Sequence, residues 1–234
     1  NLYHKFEFKM MKKIVHKHPL ALRWFHWLNF PLLFVMIWSG MLIYWANDIY
    51  KIQIGETVLF NFFPKSVYDF FGLSGQLAKG MAWHFAMMWL FTINGILYVL
   101  YTMISGEWRL ILPTKNSFKE AWQVVLYDLG MKKILPPQDK YNAAQRVIYT
   151  LVVIMGFGSI LTGWAIFRPI QLSWLTTILG GYEAARLEHF ILTIVFMLFF
   201  IVHILQVIKA GWNNFQSIIT GFEVKENHER RTNN

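Results

Sequence analysis

The chain has 234 residues, of which 56% are hydrophobic, 18% aromatic and only 15% charged; a soluble domain carries about 25% charged residues, so these are too few to coat a globule in water. It contains no cysteine, which excludes disulfides, thiolate zinc sites, cysteine-held iron–sulfur clusters and thioether-attached haem. The net charge of +9 lies outside the apolar runs, so membrane topology and anionic lipid headgroups account for it, and no nucleic-acid partner is expected.

Residues 1–23 read as a basic N-terminal tail carrying Lys5, Lys9, Lys12, Lys13, Lys17 and Arg23. No cleavable signal is visible, and MMKK at 10–13 is a candidate biological start. Four apolar runs follow, at roughly 24–46, 81–104, 147–167 and 188–209. Each meets the length of about 20 residues that a bilayer helix needs. Helix is the expected state because backbone polar groups find no partners in lipid. The predicted fold is therefore all-α, an integral membrane four-helix bundle over residues 24–209. Pro31 is a candidate kink in the first span. Trp24, Trp27, Tyr44, Trp45, Trp83, Tyr101, Tyr149, Trp164 and Trp212 mark the ends of the spans.

The connections differ in character. The first, 47–80, is long and holds VLFNFF and VYDFFG, apolar runs that either dock a partner or bury against the bundle. The second, 105–145, contains SFKEAWQVVLYDLGMKKI, which places Phe118, Trp122, Val125 and Leu129 on one helical face flanked by lysines. It predicts an interfacial helix on the cytoplasmic surface, preceded by Pro113 and ended by Pro136 and Pro137. Residues 210–234 form the C-terminal tail with Lys225, Arg230 and Arg231. Seventeen basic residues lie in the two tails and the 105–145 connection or at their edges, and five lie on the opposite side. By the positive-inside rule both termini are cytoplasmic.

Four histidines, His4, His16, His18 and His228, lie in the tails; the other four, His26, His84, His189 and His203, lie within spans. A span histidine taken singly can serve as an interhelical hydrogen bond. Alternating span direction puts His26 and His203 in one leaflet and His84 and His189 in the other, so the four sort into two pairs by depth. The fourteen residues between His189 and His203 cover ~21 Å of helix and turn through a net ~−40°, so both side chains face one direction. Ligation relieves the cost of an imidazole in lipid. Zinc wants four ligands, or three plus water, whereas haem brings four equatorial nitrogens and needs two axial ones. Two histidines per site thus point to two b-type haems, with His26 and His203 on one iron and His84 and His189 on the other. Two filled axial positions imply electron transfer. Ser39, Gly40, Gly95, Gly156, Gly158, Thr162 and Gly163 either give a macrocycle room or let helices pack closely.

RWFHWLN at 23–29, the His-x13-His spacing of the fourth span, KYNAAQR at 140–146 and LTGW at 161–164 together resemble the bacterial di-haem cytochrome b membrane subunits, a cytochrome b561-like family. These accompany respiratory formate dehydrogenases, thiosulfate reductases and nickel–iron hydrogenases. The similarity covers about residues 16–221. It implies the same two histidine pairs, with His26 and His203 on the inner haem and His84 and His189 on the outer. It also implies a quinone site (menaquinone or ubiquinone) near the inner haem, where Asn142, Ala144 and the neighbourhood of His203 match. Ala144 stands where the formate dehydrogenase branch has Gly. Asn142 and Gln145 read equally as a helix-start cap. Arg23, Lys140, Arg146, Arg186 and Lys209 are candidate contacts for haem propionates or quinone oxygens, or interfacial snorkelling residues.

The function these readings predict is a membrane electron-transfer subunit in the bacterial inner membrane. It would join an extracytoplasmic oxidoreductase with an iron–sulfur subunit, a molybdopterin enzyme or a nickel–iron hydrogenase, to the quinone pool. A stand-alone cytochrome b561-like quinone oxidoreductase, a histidine-relay transporter without haem and a purely structural membrane anchor are the alternatives.

Overall fold

The computed structural model describes residues 11–47, 49–136 and 140–227. His4, His228, Lys5, Lys9, Pro137, Arg230 and Arg231 lie outside them. The elements run β1 (Met11–His16), α1 (Leu20–Tyr44), β2 (Lys51–Ile54), β3 (Thr57–Asn61), α2 (Lys65–Phe70), α3 (Leu77–Ser105), α4 (Trp108–Ile111), α5 (Ser117–Asp128), α6 (Ala143–Phe167), α7 (Ser173–Ile178), α8 (Tyr182–Thr220) and β4 (Phe222–Asn227). Helices α1, α3, α6 and α8 are long and apolar enough to cross a membrane. They coincide with the four predicted spans, and the chain is an all-α integral membrane protein. Phe34, Ile93, Ile154 and Ile208 are exposed along them, as side chains in contact with lipid rather than water are expected to be.

The chain divides into two compact units, and the boundary passes through α1 and α8. The larger, Trp27–Phe199, contains segments of all four long helices, packed as a bundle. Tyr44 of α1 stacks on Phe190 of α8 at 4.9 Å between ring centres. Trp89 of α3 meets the edge of Trp164 of α6 at 5.4 Å. Helices α1 and α3 approach closely at Gly80: a Cβ there would lie 2.6 Å from Leu42 Cβ and 3.0 Å from the Ser39 carbonyl oxygen. Only glycine permits that crossing. Helix α1 continues through Pro31.

The long connection after α1 does two things. Its second half folds back, and Phe63, Tyr68 and Leu73 form a buried cluster with Leu42, against Trp38, Phe190 and Ile194. Its first half is the β2–β3 hairpin, which leaves Ile54, Val58, Leu59 and Phe60 exposed, and Phe70 and Phe71 stay exposed after it. Burial against the bundle therefore holds for the second half of this segment, while the first half leaves its apolar residues exposed. Helix α5 starts where predicted but ends at Asp128, just before Gly130 with its φ of 74°, rather than at Pro136. Ser117 and Val124 are its buried residues, while Phe118, Trp122, Val125 and Leu129 form an exposed stripe.

The smaller unit gathers the chain up to His26 and from Phe200 onward. Here the described parts of the two tails are more structured than their polar sequences suggest. Strand β1 pairs antiparallel with β4, from Met11 opposite Asn227 to His16 opposite Phe222. The alternation in KIVH and FEVK suits strands half covered on one face, but only the distant partner turns that pattern into a sheet. Lys17 Nζ donates to Asn214 Oδ1 at 2.8 Å and to Glu223 Oε1 at 2.9 Å. Asn213 brackets Val224 through both backbone groups, at 2.9 and 3.1 Å. Helix α8 thus runs beyond the expected end at 209, interrupted at Gly211, whose φ of 80° is outside the helical range.

Candidate functional site

The four span histidines meet in the predicted pairs. His84 of α3 and His189 of α8 lie with ring centres 6.2 Å apart and planes at 75°. His26 of α1 and His203 of α8 lie 6.1 Å apart at 57°. Among the described residues no three His, Cys, Asp or Glu side chains converge as a metal site would require. The donor set is therefore two imidazoles at a time.

The first pair is built in detail. Ser39 Oγ of α1 donates to the Val35 carbonyl at 2.6 Å and lies 3.0 Å from His84 Nδ1. Thr162 Oγ1 of α6 donates to the Gly158 carbonyl at 2.7 Å and lies 2.9 Å from His189 Nδ1. Each hydroxyl has a single proton, and the shorter bond to the helix carbonyl takes it. The hydroxyl oxygen then accepts, so each Nδ1 carries the ring proton and each Nε2 keeps its lone pair. Glycines follow both hydroxyl residues. A Cβ on Gly40 would meet His84 Cε1 at 3.6 Å, and one on Gly163 would meet His189 Cε1 at 3.3 Å. Ser-Gly and Thr-Gly thus seat one imidazole each, with the hydroxyl as anchor and the glycine as clearance. A small cavity of about 40 Å³ opens beside the two rings, lined by Leu33, Met36, Phe91, Ser159, Thr193 and Phe196.

The spacing of the rings suits a haem. Two imidazoles on opposite sides of one iron are separated by two metal–nitrogen bonds of about 2 Å plus about 1.2 Å from each nitrogen to its ring centre, about 6.4 Å in all. Both pairs come within a few tenths of an ångström of that distance. The chemistry of the donor set, two imidazoles per site, fits the same group.

A family profile described as prokaryotic cytochrome b561 matches residues 17–221. The chain belongs to the prokaryotic cytochrome b561 family. It is a multi-pass membrane protein of electron transfer, and the family's cofactor is b-type haem. The chain is also 32% identical over 199 residues to a protein of Azospira oryzae named putative protein-methionine-sulfoxide reductase subunit YedZ1, an alignment that spans 85% of this chain and 93% of that one.

Within this cytochrome the other candidate residues are occupied in ways the sequence left open. Asn142 and Gln145 form a reciprocal cap at the start of α6: Gln145 N donates to Asn142 Oδ1 at 2.9 Å and Asn142 N donates to Gln145 Oε1 at 3.0 Å. Ala144 lies between them, half-buried. Arg146 Nε and Nη2 donate to the carbonyls of Leu112 and Arg109, at 2.6 to 3.1 Å, closing the end of α4. Arg23 donates to the Ile219 carbonyl and lies against Gly221; its Nε is buried with no hydrogen-bond partner. Lys140 pairs with Glu107 at 3.1 Å, Arg186 pairs with Glu183 at 3.1 Å, and Lys209 is exposed on α8. Tyr141 sits beside the Lys140–Glu107 pair. Burial, with Tyr149, Glu107 and Tyr98 nearby, pushes its phenol well above the ordinary value, so it stays a neutral donor. Neither this tyrosine nor the hydroxyl anchoring of the histidines was expected from sequence. The matched Ser-Gly and Thr-Gly dipeptides at similar depth were the available signal for the second.

Proposed function

We propose that this cytochrome carries two b-type haems, one held by His84 and His189 and the other by His26 and His203, and connects an extracytoplasmic oxidoreductase to the quinone pool. The pairing of the four span histidines at 6.1 and 6.2 Å carries this reading. Bound haem would supply one-electron redox chemistry. The chain does the rest. Ser39 and Thr162 orient the two imidazoles of one pair, and mostly apolar side chains line the adjoining cavity.

Residues 24–209 form the membrane domain in this reading, and the excess of basic residues in both tails and the 105–145 connection puts those segments on the cytoplasmic side of the inner membrane. The exposed stripe of α5, flanked by Lys115, Lys119, Lys132 and Lys133, suits the lipid headgroup region. His84 and His189 then face the extracytoplasmic side, and His26 and His203 the cytoplasmic side. A quinone would bind at the start of α6. The cap there uses Asn142 and Gln145 as acceptors and leaves their amide N–H groups to donate to a quinone oxygen. The exposed apolar residues of the β2–β3 hairpin and of Phe70 and Phe71 are the surface offered to the oxidoreductase. The name of the Azospira relative favours a reductase partner of the methionine sulfoxide type over a hydrogenase.

The test is a haem count on the purified chain by pyridine haemochrome, with a reduced-minus-oxidised spectrum. Two haems per chain are expected, and His84→Ala and His203→Ala should each remove one. A colourless chain, or two haems retained in both variants, overturns the assignment.

A further inference from the structure

Two hydroxyls from different helices meet two histidines in the same way. Ser39 on α1 serves His84 on α3, and Thr162 on α6 serves His189 on α8. In each case the hydroxyl proton is committed to a carbonyl one turn back, at 2.6 or 2.7 Å, and the next residue is a glycine beneath the ring. Ser39 is fully buried and Thr162 nearly so, at 0% and 3% exposure, so water does not substitute for either hydroxyl; the backbone carbonyls of Met36 and Ser159 also reach the His84 and His189 rings, so each imidazole meets a hydroxyl and a carbonyl. A buried imidazole offered an acceptor on one nitrogen places its proton there and presents its other nitrogen as a lone pair.

We propose that Ser39 and Thr162 are positioning residues that reinforce the Nδ1–H tautomer of His84 and His189, beside the Met36 and Ser159 carbonyls, and would set how strongly each Nε2 donates to a bound haem iron. An Nδ1–H that donates to oxygen makes its imidazole a more basic ligand, which favours the oxidised metal. The inference deepens the haem reading above and rests on it for the ligand role. The tautomer itself is a property of the polypeptide.

The experiment uses the full chain as purified in detergent, with ¹⁵N-labelled histidine, reduced with dithionite. In the wild type the Nδ1–H protons of His84 and His189 should exchange slowly with water. Thr162→Val should speed exchange at His189, and Ser39→Ala at His84, each on the order of tenfold, the factor that one hydrogen bond commands. Thr162→Ser, which keeps the hydroxyl, should restore the wild-type rate. In a parallel redox titration Thr162→Val should shift one haem several-fold toward its reduced form at a fixed ambient potential, with tenfold corresponding to about 59 mV for one electron. The other haem should not move.

Unchanged exchange rates in both Thr162→Val and Ser39→Ala overturn the proposal, as does an equal effect from Thr162→Ser. If the chain binds no haem, the functional reading fails, but the nitrogen signals still decide the hydroxyl contacts. If Thr162→Val does not fold, Ser39→Ala makes the same comparison at the other ring.

Discussion

The space around each imidazole is set by single atoms. A methyl group at Gly163 would stand 3.3 Å from His189 Cε1, tighter than ordinary carbon contact, whereas one at Gly40 would stand 3.6 Å from His84 Cε1. Alanine also favours a helix over glycine by up to about 1 kcal/mol. Gly40→Ala should therefore keep the wild-type haem content and melt at the same temperature or slightly higher. Gly163→Ala must displace the ring against the Thr162 bond, and should lower the haem content or raise the fraction lost on gel filtration. A haem assay with a melting curve on both variants checks the contrast. The reverse order would mean that the rings are not held where these glycines put them. At this scale the sequence was legible only in part. Histidines in apolar runs announce themselves by their cost. A serine or threonine one residue before a glycine does not, because its meaning depends on which helix lies opposite. The sequence reading assigned these small residues to a macrocycle or to helix packing, and the structure turns four of them toward the imidazoles.

Helix boundaries raise a different question, because one side chain can serve both the fold and the chemistry. Asn142 caps α6 through Oδ1, and substituting such a cap by alanine costs about 0.5–2 kcal/mol. Asn142→Ala should therefore destabilise the chain by about that amount whatever else it does. Asn142→Ser keeps a good capping oxygen and removes the amide N–H donor. If the start of α6 also contacts quinone, the serine variant should keep its thermal stability and lose quinone turnover several-fold. Equal turnover in Asn142→Ser and the wild type would assign this residue to the helix start alone. The four spans were readable because twenty-odd apolar residues admit few other structures. The β1–β4 pairing was not, because its strands lie at opposite ends of the sequence and neither is apolar enough to announce a sheet. The continuation of α8 past Gly211 was hidden for a related reason. Residues 212–220 mix Trp212, Phe215, Ile218 and Ile219 with polar residues, too few apolar in a row to read as a span, and are held through Asn213, Asn214 and Ser217, each bonded to the protein.

The molecule as a whole presents surfaces of opposite character that a single measurement can assign to sides of the membrane. Exposed Phe60 lies on the β2–β3 hairpin, in the connection with few basic residues. Exposed Lys132 follows α5, in the connection rich in them. The positive-inside rule puts Lys132 with the cytoplasm and Phe60 outside. Because the chain has no cysteine of its own, one introduced thiol reports without background. Phe60→Cys should react with a membrane-impermeant maleimide on intact spheroplasts. Lys132→Cys should react only after the membrane is opened. Labelling in the opposite order would invert the chain, put His26 and His203 on the side of the soluble partner, and move the quinone site proposed at α6 to the other face. Equal labelling of both before disruption would contradict an odd number of spans between the two positions, and α3 is the one long apolar helix that separates them. The experiment thus tests the span count and the direction of the proposed electron path together, without reference to any bound group.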